Sequence, residues 1–320
     1  MNDKSLKLEF ERRWALTAGI LAVAGVAIYF VGQFYGQSQI ESGDGAAAVL
    51  TSIPGNTSSV WIGGILQGIG ISLLAAPLLF LFRAALARSD RMKAGLVGLV
   101  VAAPIFLGVA GVLSVGTLVY AADNYDPASP DIVKCVDDEK ADFAEDNDGD
   151  QPAGDDLTDI EDDCADDEAL DLRSDAGISG AAVGFGLAGG LGFAIAIFYS
   201  CINAMRLGLL SRFWGSLGMA LGVVAIFPQL FIFTLIWFIY LGLLLAGWIP
   251  GGRPPAWAAG EAIPWPTPGQ QLAEEQAEED VIEGNAEEVD PNEGTTAPEP
   301  GDTSDAPQIE RRKRKKRSDQ

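Results

Sequence analysis

The sequence predicts an all-α fold: a polytopic transmembrane bundle of six helices, with an acidic external loop and a C-terminal tail that both lack regular structure. Three observations predict it. Apolar residues make up 48% of the 320 positions although the net charge is −23, so charged and apolar residues must be segregated along the chain. Of the 44 acidic residues, 22 lie between Asp123 and Asp175 and 16 lie after Ile249, which leaves long charge-free stretches elsewhere. Lys and Arg cluster in alternate short loops, the bias that orients membrane helices.

The elements follow in order. A crossing helix needs about 20 mostly apolar residues, because lipid offers the backbone no hydrogen-bond partner outside a helix or closed barrel. Residues 1–13 form a basic N-terminus, and within 14–122 the runs Trp14–Phe34, Val60–Phe82 and Ala94–Ala122 give helices one to three. A signal peptide is the alternative for the first run, but the run exceeds a 7–15-residue apolar region and no small-x-small cleavage site follows. Within 176–249, Ala176–Met205 gives helix four. The last run, Phe213–Ile249, is too long for one crossing and is divided at Pro228-Gln229, since proline removes an amide and clashes with the preceding turn. Pro77 and Pro104 are expected to kink helices two and three.

Orientation rests on the short loops. Residues 1–13, Arg83–Lys93 and 206–212 carry the basic side chains, whereas residues 35–59 carry none and the 53 residues of 123–175 carry three. Six helices with both termini cytoplasmic, in the plasma membrane, satisfy this pattern. The 123–175 segment then faces outward.

Several chemistries are struck off. The chain has no histidine and three cysteines, Cys135, Cys164 and Cys201, whose spacing matches no zinc or redox motif. Gly177-Ile178-Ser179-Gly180 fits the pattern of rhomboid-like serine proteases, but without a histidine the serine has no proton acceptor. No carboxylate lies inside an apolar run, which argues against aspartyl intramembrane proteolysis and against ion-coupled transport. No catalytic residue and no cofactor are therefore expected.

Within helix four, Gly180 with Gly184 and Gly186 with Gly190 share helical faces and predict close helix packing or, on a second reading, a lipid groove. Gln67, Ser72, Thr117 and Asn203 are the main polar side chains at depth and are expected to bond to neighbouring helices.

An oxidising exterior predicts a disulfide between Cys135 and Cys164, with Cys201 left free. Asp146, Asp148 and Asp150 surround Gly149 in a DNDGD run that offers hard oxygens to calcium. The run fails the twelve-residue EF-hand pattern, so a weak calcium site and a diffuse, cation-attracting acidic cap both stay open.

After Ile249 the chain turns Pro- and Trp-rich. Trp248, Trp257 and Trp265 suit the headgroup level, and folding of this segment back over the bundle end is the alternative. Residues 270–310 cannot bury a core and are expected to be disordered. The basic cluster Arg311, Arg312, Lys313, Arg314, Lys315, Lys316 and Arg317 would bind anionic lipid or a protein partner by charge.

Three stretches, LFRAALARSDRM, GLLSRFWGSLG and GWIPGGRPPAWAAGEAIPWP, resemble an uncharacterised family of actinobacterial multi-pass membrane proteins that often end in a Lys/Arg-rich cluster, here RRKRKKR. The resemblance implies a membrane bundle and no biochemical role. The expected function is a non-enzymatic scaffold or envelope-interaction protein, with a passive channel or carrier for a small solute as the alternative.

Overall fold

The computed structural model describes residues 3–38, 45–89, 91–147, 150–227 and 230–266. The cluster Arg311 to Arg317, the disorder expected of 270–310, and the Pro228-Gln229 break lie outside the described residues. In chain order the helices are α1 (Asp3–Gln37), α2 (Ala46–Ser52), α3 (Thr57–Leu73), α4 (Ala75–Leu86), α5 (Val97–Asn124), α6 (Pro130–Asp146), α7 (Asp155–Asp175), α8 (Ser179–Arg206), α9 (Arg212–Val224), α10 (Phe231–Ala246) and α11 (Pro255–Ala259). The described residues form no strand.

Four apolar helical segments are long enough to cross a membrane: Glu9–Gln37, Thr57–Leu86, Ala94–Asn124 and Ser179–Arg206. Between their ends their outward faces are apolar rather than charged. On α8 the exposed side chains Val183, Leu187, Leu191 and Ile195 recur every four residues and make one continuous stripe, as a lipid-facing surface requires. The second crossing is divided at Leu74, three residues before Pro77. Proline has no amide to donate to the Leu73 carbonyl, so the helical ladder is interrupted there. Pro104, by contrast, sits inside an unbroken α5.

In the bundle α1 packs between α3 and α10, α5 between α3 and α8, and α9 against α8, while α4 touches α1, α5, α8 and α10. The interior of α4 is accordingly closed: Leu78, Leu81, Phe82 and Ala85 are fully buried. Helices α9 and α10, of 13 and 16 residues, are shorter than a full crossing. They run antiparallel. The Trp237 Nε1 donates to the Trp214 carbonyl at 3.1 Å, and the Thr234 hydroxyl donates to the Leu221 carbonyl at 3.1 Å. Trp214 and Tyr240 stack at 3.5 Å between centroids.

Backbones approach each other through glycines. Gly25 and Gly32 on α1 are seven residues apart, and so are Gly63 and Gly70 on α3. An added Cβ on Gly32 would lie 2.6 Å from the Gly63 carbonyl oxygen, and one on Gly70 would lie 2.6 Å from that of Gly25. Helix α8 also packs through glycine, but mainly at positions other than those expected. Gly189 and Gly192 meet Leu107 and Ala103 of α5; of the expected four, Gly186 has Ala110 of α5 at 3.8 Å from a Cβ position, while Gly180, Gly184 and Gly190 have nothing within 4 Å. Three of the four polar groups expected to bridge helices instead bond within their own: Ser72, Thr117 and Asn203 donate to the carbonyls of Gly68, Ser114 and Tyr199 in the same helix. Donating to a carbonyl one turn back costs no interhelical geometry.

The glycine contacts give a direct test. Gly70→Ala should destabilise the bundle by about 1–3 kcal/mol through forced separation of α1 and α3. Gly180→Ala, on an open face, should be neutral or stabilising by up to about 1 kcal/mol. Unfolding in mixed micelles titrated with dodecyl sulfate, followed by circular dichroism, checks the order. Equal responses would show that the close approach is not limiting.

Candidate functional site

The basic end of the bundle carries the densest polar architecture. Arg88, two residues past α4, is buried to 1% of its side chain, and it meets Glu11 of α1, whose side chain is 10% exposed. The pair is bidentate: Nη1 donates to Oε1 at 2.5 Å and Nη2 to Oε2 at 2.8 Å. Further donations go to the Ala84 carbonyl at 2.8 Å and the Ala256 carbonyl at 3.2 Å. The Nε proton has no partner among the described residues. A buried guanidinium held by one carboxylate and two carbonyls is neutralised in place, and removing its carboxylate would strand the charge at a cost of about 3–5 kcal/mol.

Ala256 belongs to α11, so the segment after α10 folds back over this end. The expectation of plain interfacial anchoring for Trp257 and Trp265 is corrected here, while Trp248, 61% exposed, keeps an outward position. Trp257 stacks on Phe80 at 6.0 Å with planes 2° apart and lies 5.6 Å from the Arg88 guanidinium carbon. Its indole N–H donates to the Leu209 carbonyl at 2.9 Å, and that of Trp265 donates to Leu210 at 2.8 Å. Both acceptors are spare carbonyls in the turn after α8. The physical reason for the fold-back is that these wide side chains find both an apolar bed and a hydrogen-bond acceptor there, which headgroup water cannot supply together.

Local sequence makes the seat. Helix α8 ends in a Schellman turn in which Gly208, at φ 74°, donates to the Met205 carbonyl and Leu209 donates to Ala204. Only glycine fits, since its Cα side also faces the Ile263 carbonyl. The Ile263 amide returns a bond to the Leu207 carbonyl at 3.2 Å. At the end of α10, Gly247 closes a second Schellman turn by donating to the Leu244 carbonyl, and Arg253 donates to the carbonyls of Leu244 and Leu245. Burial lowers the Arg253 guanidinium from its usual value and the Glu11 carboxylate opposes that shift. One acid thus serves two arginines. The three stretches that stand out in the sequence, around Arg88, Leu209-Leu210 and Trp257, assemble into this one latch although they are remote in the chain.

The acidic end is different from the expectation. The segment 123–175, expected to lack regular structure, is a helical hairpin of α6 and α7. Helix α6 starts on a strong signal: Ser129 accepts from the Ile132 amide, Pro130 occupies the first turn and Asp131 follows. Ile132 and Val136 on α6 and Cys164 on α7 form a small buried cluster beneath the carboxylates. Cys135 and Cys164 are joined as a disulfide, with Cα atoms 5.9 Å apart, and Cys201 is a buried free thiol. The hairpin is docked rather than free, because the Asp166 carboxylate accepts from the Ala47 amide at 2.8 Å and so caps α2. Asp146 is the last residue of α6 and Asp150 lies in the following turn, both exposed. Asp148 lies outside the described residues, and no group of three or more metal-ligating side chains converges among the described ones.

Charge crowding on the hairpin has a pH signature. Burial first, then the charges of Asp131, Asp171 and Asp175, raise the Glu168 carboxyl above its ordinary range. A carboxyl raised on folding contributes stability that is present below the unfolded value, about 4.3, and is lost as pH rises through the folded value. Mild acidification from pH 7 to pH 5 should therefore raise the melting temperature of the hairpin in the full-length protein, read by circular dichroism. A fall over that interval would contradict the crowding.

Compared with known proteins, the chain matches no protein-family model, no curated protein and no solved structure.

Proposed function

We propose that this chain is a non-enzymatic membrane scaffold of the plasma membrane that presents its tail from a fixed point on the cytoplasmic surface. The supporting observation is the latch: Arg88, Glu11, Trp257 and Trp265 hold residues 255–265 against the bundle end, so whatever follows leaves from one place. On this reading the basic end is cytoplasmic and the acidic hairpin is external, following the loop charge bias. Helices α9 and α10 count as crossings five and six, short ones that meet a locally thin bilayer. A pair that dips and returns would leave both termini on the same side as well.

The reading assigns no catalytic residue and no cofactor. Its partners are membrane lipids and, through the basic cluster 311–317, an anionic lipid surface or another protein. The Asp146, Asp148 and Asp150 run serves at most as a weak, extracellular-grade calcium site within an acidic cap. The resemblance to an actinobacterial membrane family fits this topology and adds no chemistry to it.

The main competitor is a passive channel or carrier. Packing along the bundle axis favours the scaffold: Phe82, Phe193, Trp237 and Phe238 are all 0–1% exposed, and Phe193 and Phe238 stack at 5.6 Å. Aromatic side chains packed at this density fill that part of the interior. Purified protein in liposomes should pass no more ion, glycerol or amino acid than empty vesicles do. Reproducible solute flux above that background would replace the scaffold with the channel.

A further inference from the structure

On the outside of the bundle, at its basic end, a groove of about 320 Å³ lies between α1 and α4. Its walls are Ala18 and Leu21 from α1 with Ala76 and Leu79 from α4, and its mouth is framed by Trp14 and Arg83. From Trp14 to Leu21 the groove follows α1 for about 10 Å along the helix axis. Small residues make it. Ala18 and Ala76 stand where larger side chains would fill the gap. The lining is almost wholly apolar, with one cation at one end.

We propose that this groove binds one anionic phospholipid of the cytoplasmic leaflet, an acyl chain lying along Leu21 and Leu79 with its phosphate at Arg83. The proposal rests on the membrane orientation given above, which places the mouth at headgroup level. Charge and depth select the occupant. Arg83 is exposed and has no hydrogen-bond or ion-pair partner among the described residues, whereas Arg88, beyond the end of α4, is paired with Glu11 through both terminal nitrogens. A guanidinium at the boundary between hydrocarbon and water matches a phosphate through paired N–H donors. Trp14, 48% exposed at the same rim, is the amphipathic ring expected at that level. A soluble anion would find the arginine but no use for the apolar floor. A zwitterionic lipid offers the same phosphate but brings its own cation beside Arg83, whereas an anionic lipid leaves its whole negative charge for the arginine.

The groove also touches the latch. Phe80 lines it and stacks on Trp257 through its ring, so a seated chain packs against the same side chain that holds the folded-back segment.

The test uses the full-length protein purified in detergent, with phosphatidylglycerol and phosphatidylcholine of identical chains as probes in native mass spectrometry. One phosphatidylglycerol should be retained in preference to phosphatidylcholine. Arg83→Gln should weaken phosphatidylglycerol about fivefold, the worth of one cation near an anionic surface, and weaken phosphatidylcholine, whose own cation already offsets its phosphate, by less, so that the preference narrows. Ala76→Phe, which fills the groove, should weaken both lipids. Circular dichroism of each variant establishes that it is folded, and Arg83→Gln, at an exposed position, keeps the test available should Ala76→Phe misfold. Glycerol phosphate should not compete. Equal retention of the two lipids, indifference to Arg83→Gln, or displacement by glycerol phosphate would each overturn the site. Release of the chain from native membranes by carbonate would instead overturn the membrane reading itself, so the two failures are distinguishable.

Discussion

The Glu11–Arg88 pair is the constraint on which the basic end depends. A guanidinium buried to 1% exposure must have its charge compensated where it lies, because an uncompensated charge in a low-dielectric setting costs several kcal/mol. Its partners come from three parts of the chain: Glu11 from α1, Ala84 from α4 and Ala256 from α11. None can be satisfied alone. Such a pair adds little net stability over an apolar substitute, but it admits one arrangement and so fixes how α1, α4 and the folded-back segment register. Trp257 then carries that register to α8 through the Leu209 carbonyl.

Elsewhere the bundle is held by shape. Between apolar helices in lipid there is no hydrophobic drive, so association depends on how closely backbones approach. The Gly25–Gly70 and Gly32–Gly63 contacts serve α1 and α3, and Gly19 with Gly242 serves α1 and α10. Helix α1 therefore has small residues on two faces and sits between two neighbours. The short α9–α10 pair fills only the basic side of the bundle, where the latch closes over it. A cleft of about 470 Å³ remains beside the α9–α10 turn, lined by α5 and by Ala182, Gly186 and Gly190 of α8. Gly190, which faces this cleft, accordingly has no neighbour.

How much of this was legible in the sequence varies with the range of the interaction. Four crossings were readable because twenty charge-free residues are a local signal. The start of the hairpin is written in Ser129-Pro130-Asp131 and its buried face in the i, i+4 pair Ile132 and Val136, but the density of acids around them masks both signals. The heptad spacing shared by Gly25, Gly32, Gly63 and Gly70 was also present and would have paired α1 with α3. The latch was not readable. Arg88 and Glu11 are 77 residues apart, and Trp257 and Leu209 are 48 apart, so each looked like an ordinary member of its local class: a positive-inside arginine, an N-terminal acid, an interfacial tryptophan. The groove at Arg83 was hidden for the same reason, because its two walls come from different helices.

The most direct measurement of the central claim is hydrogen exchange of the full-length protein in lipid nanodiscs, read over peptides covering 254–266. The account predicts that the Gly260 and Ile263 amides, bonded to Ala256 and Leu207, exchange slowly in the native chain, and that Glu11→Ala returns them to the rate of an unstructured segment while α5 and α8 stay protected. Fast exchange of these amides in the native chain, or protection that survives Glu11→Ala unchanged, would contradict a segment latched by the buried pair.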